Sequence, residues 1–205
     1  MTEIQEKANT IPQELNIAEI RKYTKEAAPL IHCITNPISI HDCANIILAA
    51  GARPIMAEHP AEVAEITAVA SALMLNLGNI TDARIESIQR ALKEANRRKI
   101  PVLLDLVGVT CSSLRREFAR KLLTDGRFAV IKGNISEILA AADLPFHGTG
   151  IDAGSQDAIS QANEASYCTT AKKLAEHLGC TVMATGKLDL IADRHQAFLI
   201  ANGHA

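Results

Sequence analysis

Hydrophobic positions along the chain switch repeatedly between two spacings. Short β-branched or leucine-rich runs stop at polar or glycine residues, and stretches with apolar residues three and four apart follow them. Ile17 to Ala27 predicts a first helix, with Ile17, Ile20 and Tyr23/Thr24 near one face and Pro29 ending it. Leu30 to Ile34 predicts a strand, broken by Thr35-Asn36-Pro37. Ser39 stands where a cap would open the next helix, along which Ile40, Cys43, Ala44, Ile47 and Leu48 recur until Gly51 stops it. Ala52 to Met56 is strand-like. Pro60 occupies a first helical position, and Val63, Ile66 and Ala70 mark the buried face that follows. Ala72 to Leu77 predicts another strand, stopped by Gly78-Asn79. Thr81 caps a long helix to Arg98, with Ile85, Ile88, Leu92 and Ala95 inward and Arg84, Glu86, Arg90, Lys93 and Glu94 outward.

The second half continues the alternation. Pro101 to Leu104 predicts a buried strand ending in Asp105. Ser112 or Ser113 opens a helix to about Leu123, and Phe128 to Ile131 is the next strand. Leu144 to Asn163, rich in Gly, Ser, Asp and Gln, reads as a long excursion rather than packed structure. Ala162 to Leu178 predicts a helix with Ala171, Leu174, Ala175 and Leu178 on one face. Thr181 to Ala184 is a strand ending at Thr185-Gly186, and Leu188 to Ala192 with Gln196 to Ile200 form a hairpin around Asp193-Arg194-His195. Strands that alternate with helices through short loops call for a mostly parallel sheet covered on both faces, an α/β/α fold with right-handed crossovers. We expect one domain over residues 1–205, with 1–16 as a flexible arm.

Composition narrows the function. A net charge of −2 without a basic block argues against a dedicated nucleic-acid partner. Aromatic residues are 3% of the chain and Trp is absent, which leaves little for a base-stacking platform. No apolar run reaches spanning length, and the polar start with Glu3, Glu6 and Glu14 does not have the form of a signal peptide. Cys33, Cys43, Cys111, Cys168 and Cys180 are odd in number and form no C-x-x-C pair, which fits reduced thiols in the cytoplasm.

Candidate chemistry centres on Phe128-Ala-Val-Ile-Lys-Gly-Asn-Ile-Ser-Glu137, a buried strand feeding a helix. Two readings stand side by side. Asn134 and Glu137 have the spacing of a capping box. Lys132, Gly133, Asn134 and Glu137 also make a phosphate and metal corner at a strand's carboxyl end, the edge at which open α/β sheets bind ligands. The other strand ends add Thr35-Asn36, Met56-Ala57-Glu58, Asn76-Leu77-Gly78, Asp105 and Thr185-Gly186. Carboxylates and amides with few nitrogens suit Mg²⁺, and a lysine beside strand-end glycines suits a phosphate, so the set points to nucleotide-dependent phosphoryl transfer. Each residue has a plainer alternative: Asp105 as a turn cap, Met56 as core, Thr185-Gly186 as a turn, Lys132 as a solvated side chain.

His32-Cys-Ile-Thr-Asn36, Gly51-Ala-Arg-Pro-Ile-Met56, Leu75-Asn-Leu-Gly78, Pro101-Val-Leu-Leu-Asp105 with Val107-Gly108, Lys132-Gly-Asn-Ile-Ser-Glu137, Thr185-Gly-Lys-Leu-Asp189 and Asn202-Gly-His204 together resemble the hydroxyethylthiazole kinase family. That family lies within the ribokinase-like superfamily. The resemblance implies ATP- and Mg²⁺-dependent phosphorylation of the hydroxyl of 4-methyl-5-(2-hydroxyethyl)thiazole, in thiamine biosynthesis and salvage, by a homotrimer with thiazole sites at subunit interfaces. It implies substrate contacts at Met56 and Asn36, ATP contacts at Lys132, Thr185 and Gly186, and a metal corner of Asp105, Asn134 and Glu137. Three departures accompany it. Leu106 replaces the proline of the family's Asp-Pro-Val-Gly, and Lys132 replaces an arginine, keeping charge without bidentate geometry. The chain given ends at Ala205, whereas the family runs on into a Gly-Thr-Gly-Cys segment with the catalytic base and further helices, so we expect little turnover from these residues alone. Competing readings are a non-catalytic thiazole- or nucleotide-binding protein, and a ribokinase-like kinase for another small alcohol.

Overall fold

In the computed structural model, residues 16–148 and 154–201 are described. Asn16 opens α1 (Ile17–Ala27), its side chain accepting the Glu19 N–H. Then follow β1 (Leu30–Ile34), α2 (Ile40–Ala49), β2 (Arg53–Ile55), α3 (Val63–Val69), β3 (Ala72–Asn76), α4 (Asp82–Arg98), β4 (Val102–Asp105) and α5 (Ser113–Asp125). The second half holds β5 (Val130–Asn134), α6 (Ile135–Ala141), a 3₁₀ turn (Ser155–Asp157), α7 (Glu164–Leu178), β6 (Thr181–Thr185), β7 (Asp189–Ala192) and β8 (Ala197–Ile200). The arm expected before residue 16, the middle of the 144–163 excursion and Asn202-Gly-His204 lie outside the described residues.

The strands form one sheet in the order β2-β1-β3-β4-β5-β6-β7-β8, parallel from β2 to β6 and closed by the antiparallel pairs β6–β7 and β7–β8. This is the expected three-layer α/β/α fold. Its centre is aliphatic: Leu73 and Leu75 on β3, Leu104 on β4, Ile131 on β5 and Val182 on β6 are each 1% exposed or less. Two buried faces explain why these strands read as near-continuous apolar runs. Ile88, Ala91, Leu92 and Ala95 give α4 its buried stripe, and Thr81 and Ser112 cap α4 and α5 through their hydroxyls.

Four local readings change. β5 was expected to stop at Ile131, but it keeps pairing with β6 through Lys132↔Met183, Gly133↔Ala184 and Asn134↔Thr185. Lys132 and Gly133 are therefore strand, and α6 starts directly after Asn134. Ser39 makes no side-chain cap on α2; Asn36 Oδ1 instead accepts the N–H groups of Ile38 and Ser39. The 144–163 excursion is not all unpacked, because Asp157 is 2% exposed. Arg84, expected on the outer face of α4, is buried, while Glu86 and Arg90 do pair on that face. The first turn of α4 lies over the sheet edge, where loops cover the side that would face water farther along the helix.

Candidate active site

The sheet order reverses between β1 and β3, since the chain leaves β1 for β2 on one side and returns to β3 on the other. Such a switch point opens a crevice at the strands' carboxyl ends. Asn36, just past β1, donates from Nδ2 to Asn76 Oδ1 at the end of β3 (3.2 Å), and the same oxygen accepts the Gly78 N–H (2.9 Å). A Cβ on Gly78 would lie 2.8 Å from Asn76 Oδ1 and 3.1 Å from Asn36 Nδ2, so this amide pair needs glycine there. Met56 follows β2 on the same edge and is half-buried.

The charged residues occupy the next registers. Asn76 pairs with Asp105, and Asp105 with Lys132, so the three stand in a row across β3, β4 and β5. Lys132 Nζ lies 3.2 Å from Asp105 Oδ2, while Asp105 Oδ1 accepts the Val107 N–H (3.1 Å). Two residues on along β5, Asn134 faces Thr185, whose hydroxyl donates to the Gly133 carbonyl (3.3 Å). Gly186 N–H donates to Asp189 (2.9 Å).

Asn134 and Glu137 form the capping box in full. Asn134 Oδ1 accepts the Glu137 N–H (2.9 Å), and Glu137 Oε2 accepts the Asn134 N–H (2.7 Å). The other Glu137 oxygen accepts the N–H of Gly108, which has φ +78° in the turn after β4 (2.8 Å). Gly133 makes room for this carboxylate: a Cβ there would lie 2.9 Å from Glu137 Cβ. Burial pushes the Glu137 carboxyl above the usual carboxylate range, although the two N–H groups oppose the shift. The capping and functional readings of this stretch thus fall on the same atoms.

Three residues here were not picked out from sequence. Arg84 bonds to the loops after β1, β2 and β3. His32, given no role by its sequence context, is fully buried; Nε2 donates to the Ala57 carbonyl next to Met56 (2.8 Å), and Nδ1 lies 2.9 Å from the Thr67 hydroxyl. Burial lowers its pKa, which favours the neutral ring. Arg115 packs across Gly108 and has no ion-pair partner among the described residues. No periodic pattern marks any of the three.

Ser136, between the two residues of the cap, donates to Asp157 Oδ2 (2.5 Å), which also takes the His147 N–H (2.7 Å); His147 Nδ1 lies 2.8 Å from Oδ1. Burial alone would raise the Asp157 carboxyl, but the hydrogen bonds from Ser136 and His147 outweigh it and the net shift is downward. A depressed folded-state value means stability that is present above the unfolded carboxylate value, about 3.9, and is lost as pH falls through the folded one. Urea unfolding of wild type and Asp157→Asn should therefore show a stability difference that is flat above about pH 5 and shrinks below about pH 4. A difference independent of pH down to full acid unfolding would remove the charge of Asp157 from this clasp.

Residues 21–205 match the model of the hydroxyethylthiazole kinase family. Hydroxyethylthiazole kinase 2 of Clostridium botulinum (strain 657 / Type Ba4) is 49% identical over 185 residues, which is 90% of this chain and 70% of that protein. The chain belongs to the hydroxyethylthiazole kinase family. Hydroxyethylthiazole kinase 1 of Methanosphaera stadtmanae is 37% identical over 93% of this chain and 69% of its own length. The solved structure of a hydroxyethylthiazole kinase protein from Pyrococcus horikoshii OT3 superposes with a TM-score of 0.77 at 30% identity, covering 91% of this chain and 66% of that one. The fold is therefore ribokinase-like, and the family is one of kinases, transferases whose reaction is phosphorylation of the thiazole alcohol by ATP. Among the described residues no group of three His, Cys, Asp or Glu side chains could hold a metal, and no helix is long and apolar enough to cross a membrane.

Proposed function

We propose that this hydroxyethylthiazole kinase family chain binds the thiazole alcohol in the crevice between the ends of β1 and β3, and the ATP phosphates across the ends of β4, β5 and β6. The observation that carries the reading is the order along the edge. A neutral amide pair, Asn36–Asn76, stands at the switch point, and the charged row of Asp105 and Lys132 begins in the next register. Met56 would supply an apolar wall for the ring. Asn36 would orient it with its second Nδ2 hydrogen, which has no acceptor among the described residues. An uncharged ring and a polyanion thus meet surfaces of matching character on neighbouring strands.

On the nucleotide side, Lys132 would turn its charge from Asp105 toward phosphate, and Thr185 with Gly186 would contact the ATP. Arg115 would add a guanidinium fork. Magnesium keeps several waters and uses one or two carboxylates plus phosphates, so Asp105 and Asn134 fit a hydrated ion better than an all-protein cage. Glu137 fits an outer role, because both its oxygens already accept backbone N–H groups. When bound, the ion would neutralise charge on the transferring phosphoryl group. The chain's own residues would hold the alcohol in line with the phosphate and offset its charge.

We extend the proposal to a homotrimer in the cytoplasm. Ile17, Ile20 and Tyr23 on α1 and Ile46 and Leu48 on α2 are each more than half exposed, which is apolar surface suited to a subunit contact. All five cysteines are thiols, which suits a reducing compartment.

The test is a coupled ADP-release assay with magnesium and the thiazole alcohol, beside light scattering, on these residues extended with the family's Gly-Thr-Gly-Cys segment. ADP release that depends on the thiazole alcohol, from a particle of three subunits, is the expected result. Faster release with an unrelated small alcohol would overturn the substrate assignment, and a monomer at micromolar concentration the trimer.

A further inference from the structure

Arg84 makes an unusual set of contacts for a helix residue. It stands in the first turn of α4, where the Thr81 cap already accepts its backbone N–H, and its side chain is 7% exposed. A guanidinium has five N–H donors in a planar fork. All five are taken. Nε and one Nη2 hydrogen go to Glu58 Oε2 (3.0 and 2.9 Å), both Nη1 hydrogens to the carbonyls of Gly78 and Asn79 (3.1 and 3.2 Å), and the remaining Nη2 hydrogen to the Thr35 carbonyl. Ser87, one turn along the helix, donates to the Glu58 carbonyl (2.7 Å) and reinforces the same loop.

These acceptors come from three separate chain connections. Thr35 follows β1 and precedes Asn36. Glu58 follows β2 two residues after Met56. Gly78 and Asn79 follow β3, beside Asn76, and Asn79 holds a left-handed φ of 49° there. Each arm of the fork therefore grips backbone or carboxylate next to a residue that faces the crevice. None of its partners belongs to the β4–β6 end of the edge, where Asp105, Lys132 and Thr185 stand. The ion pair with Glu58 also neutralises the buried cation.

We propose that Arg84 is the positioning residue of the alcohol half of the site: its one guanidinium locks the loops after β1, β2 and β3 into a single body that presents Asn36 and Met56 in fixed relation. The proposal rests on reading the β1/β3 crevice as the alcohol site. Lysine cannot replace it, because a point charge with three donors cannot reach acceptors spread around a plane. Removing the fork would loosen three loops together and leave the nucleotide end as it is.

The experiment compares wild type with Arg84→Lys and Glu58→Gln, measuring KM for the thiazole alcohol and for ATP in the extended chain, and amide hydrogen exchange without ligand in the full chain. In Arg84→Lys the alcohol KM should rise about tenfold or more, as expected when positioning groups shift, while the ATP KM stays within about twofold. Exchange should quicken in all three loops at once and remain unchanged after β4 and β5. An unchanged alcohol KM, an equal rise in both KM values, or quickening confined to one loop would overturn the proposal. If Arg84→Lys does not fold, Glu58→Gln decides. Glu58 itself is half exposed, so the same pattern is expected at about two- to fivefold, and an unchanged alcohol KM with unchanged exchange counts against the proposal. If the extended wild type does not turn over the thiazole alcohol, the functional reading fails, and the exchange data alone decide whether Arg84 joins the loops.

Discussion

Asp105→Asn is expected to lower kcat/KM for thiazole alcohol phosphorylation by about 10²–10³-fold, the scale seen when one group aimed at transition-state charge is lost. Asp105 is the carboxylate of the corner with the fewest backbone bonds: Oδ1 accepts one N–H, from Val107, and Oδ2 faces Lys132. Asparagine has nearly the same shape and keeps an acceptor for Val107, so the turn after β4 should persist. What disappears is the negative charge that would attract a hydrated magnesium ion and hold Lys132 in place. The loss should deepen as magnesium is made limiting, whereas the melting temperature should change little. A wild-type rate at low magnesium would take Asp105 out of the metal corner.

Glu137→Ala is expected to act on stability as strongly as on rate. The side chain is 2% exposed and supplies acceptors to the N–H groups of Gly108 and Asn134. Leaving two buried donors unpaired costs about 1–3 kcal/mol each. Relief of the buried carboxylate, whose raised pKa reports its desolvation, offsets part of that. A net loss of about 2–4 kcal/mol corresponds to a fall in melting temperature of about 5–15 °C for a domain of this size. Glu137→Gln keeps one acceptor oxygen and should fall about halfway. If the alanine variant melts with wild type, the Gly108 and Asn134 contacts do not hold this corner together.

The two variants separate roles that lie within one short motif. Asn134 and Glu137 have the spacing both of a helix cap and of a metal and phosphate corner, and the geometry makes the cap first. Glu137 reaches back under Gly133 and across to Gly108, so it ties the end of β5 to the turn after β4. Asp105 and Lys132 stand on that frame. A residue can therefore matter to phosphoryl transfer without touching phosphate or metal.

Much of this arrangement was legible in the residues. Alternating apolar runs and amphipathic stretches placed the strands and helices, because side-chain burial has a different period in each. Once the strands were parallel, their carboxyl ends shared one edge, which brought Asn36, Met56, Asp105, Lys132, Asn134 and Thr185 onto one side. The motif resemblance led to the kinase family that the comparisons then showed. Arg84 was misplaced because helical periodicity describes a helix lying against a sheet face. At its first turn α4 rises over the sheet edge, and loops from other strands bury the side that periodicity assigns to water.

The linear chain by itself determined the element order, the aliphatic core, the caps at Thr81, Ser112 and Asn134, and the family, since each depends on residues close in sequence or on fixed motifs. Tertiary structure alone decided which strand ends became neighbours. The reversal between β1 and β3 brought Asn36 to Asn76, 40 positions apart, and pairing with β6 carried β5 on through Lys132 to Asn134. It also decided where charge is spent. Lys132 faces Asp105, Glu137 is filled by backbone N–H groups, and Arg84 reaches a carbonyl 49 positions away, because a buried charge or donor must find its partner wherever the fold brings one near.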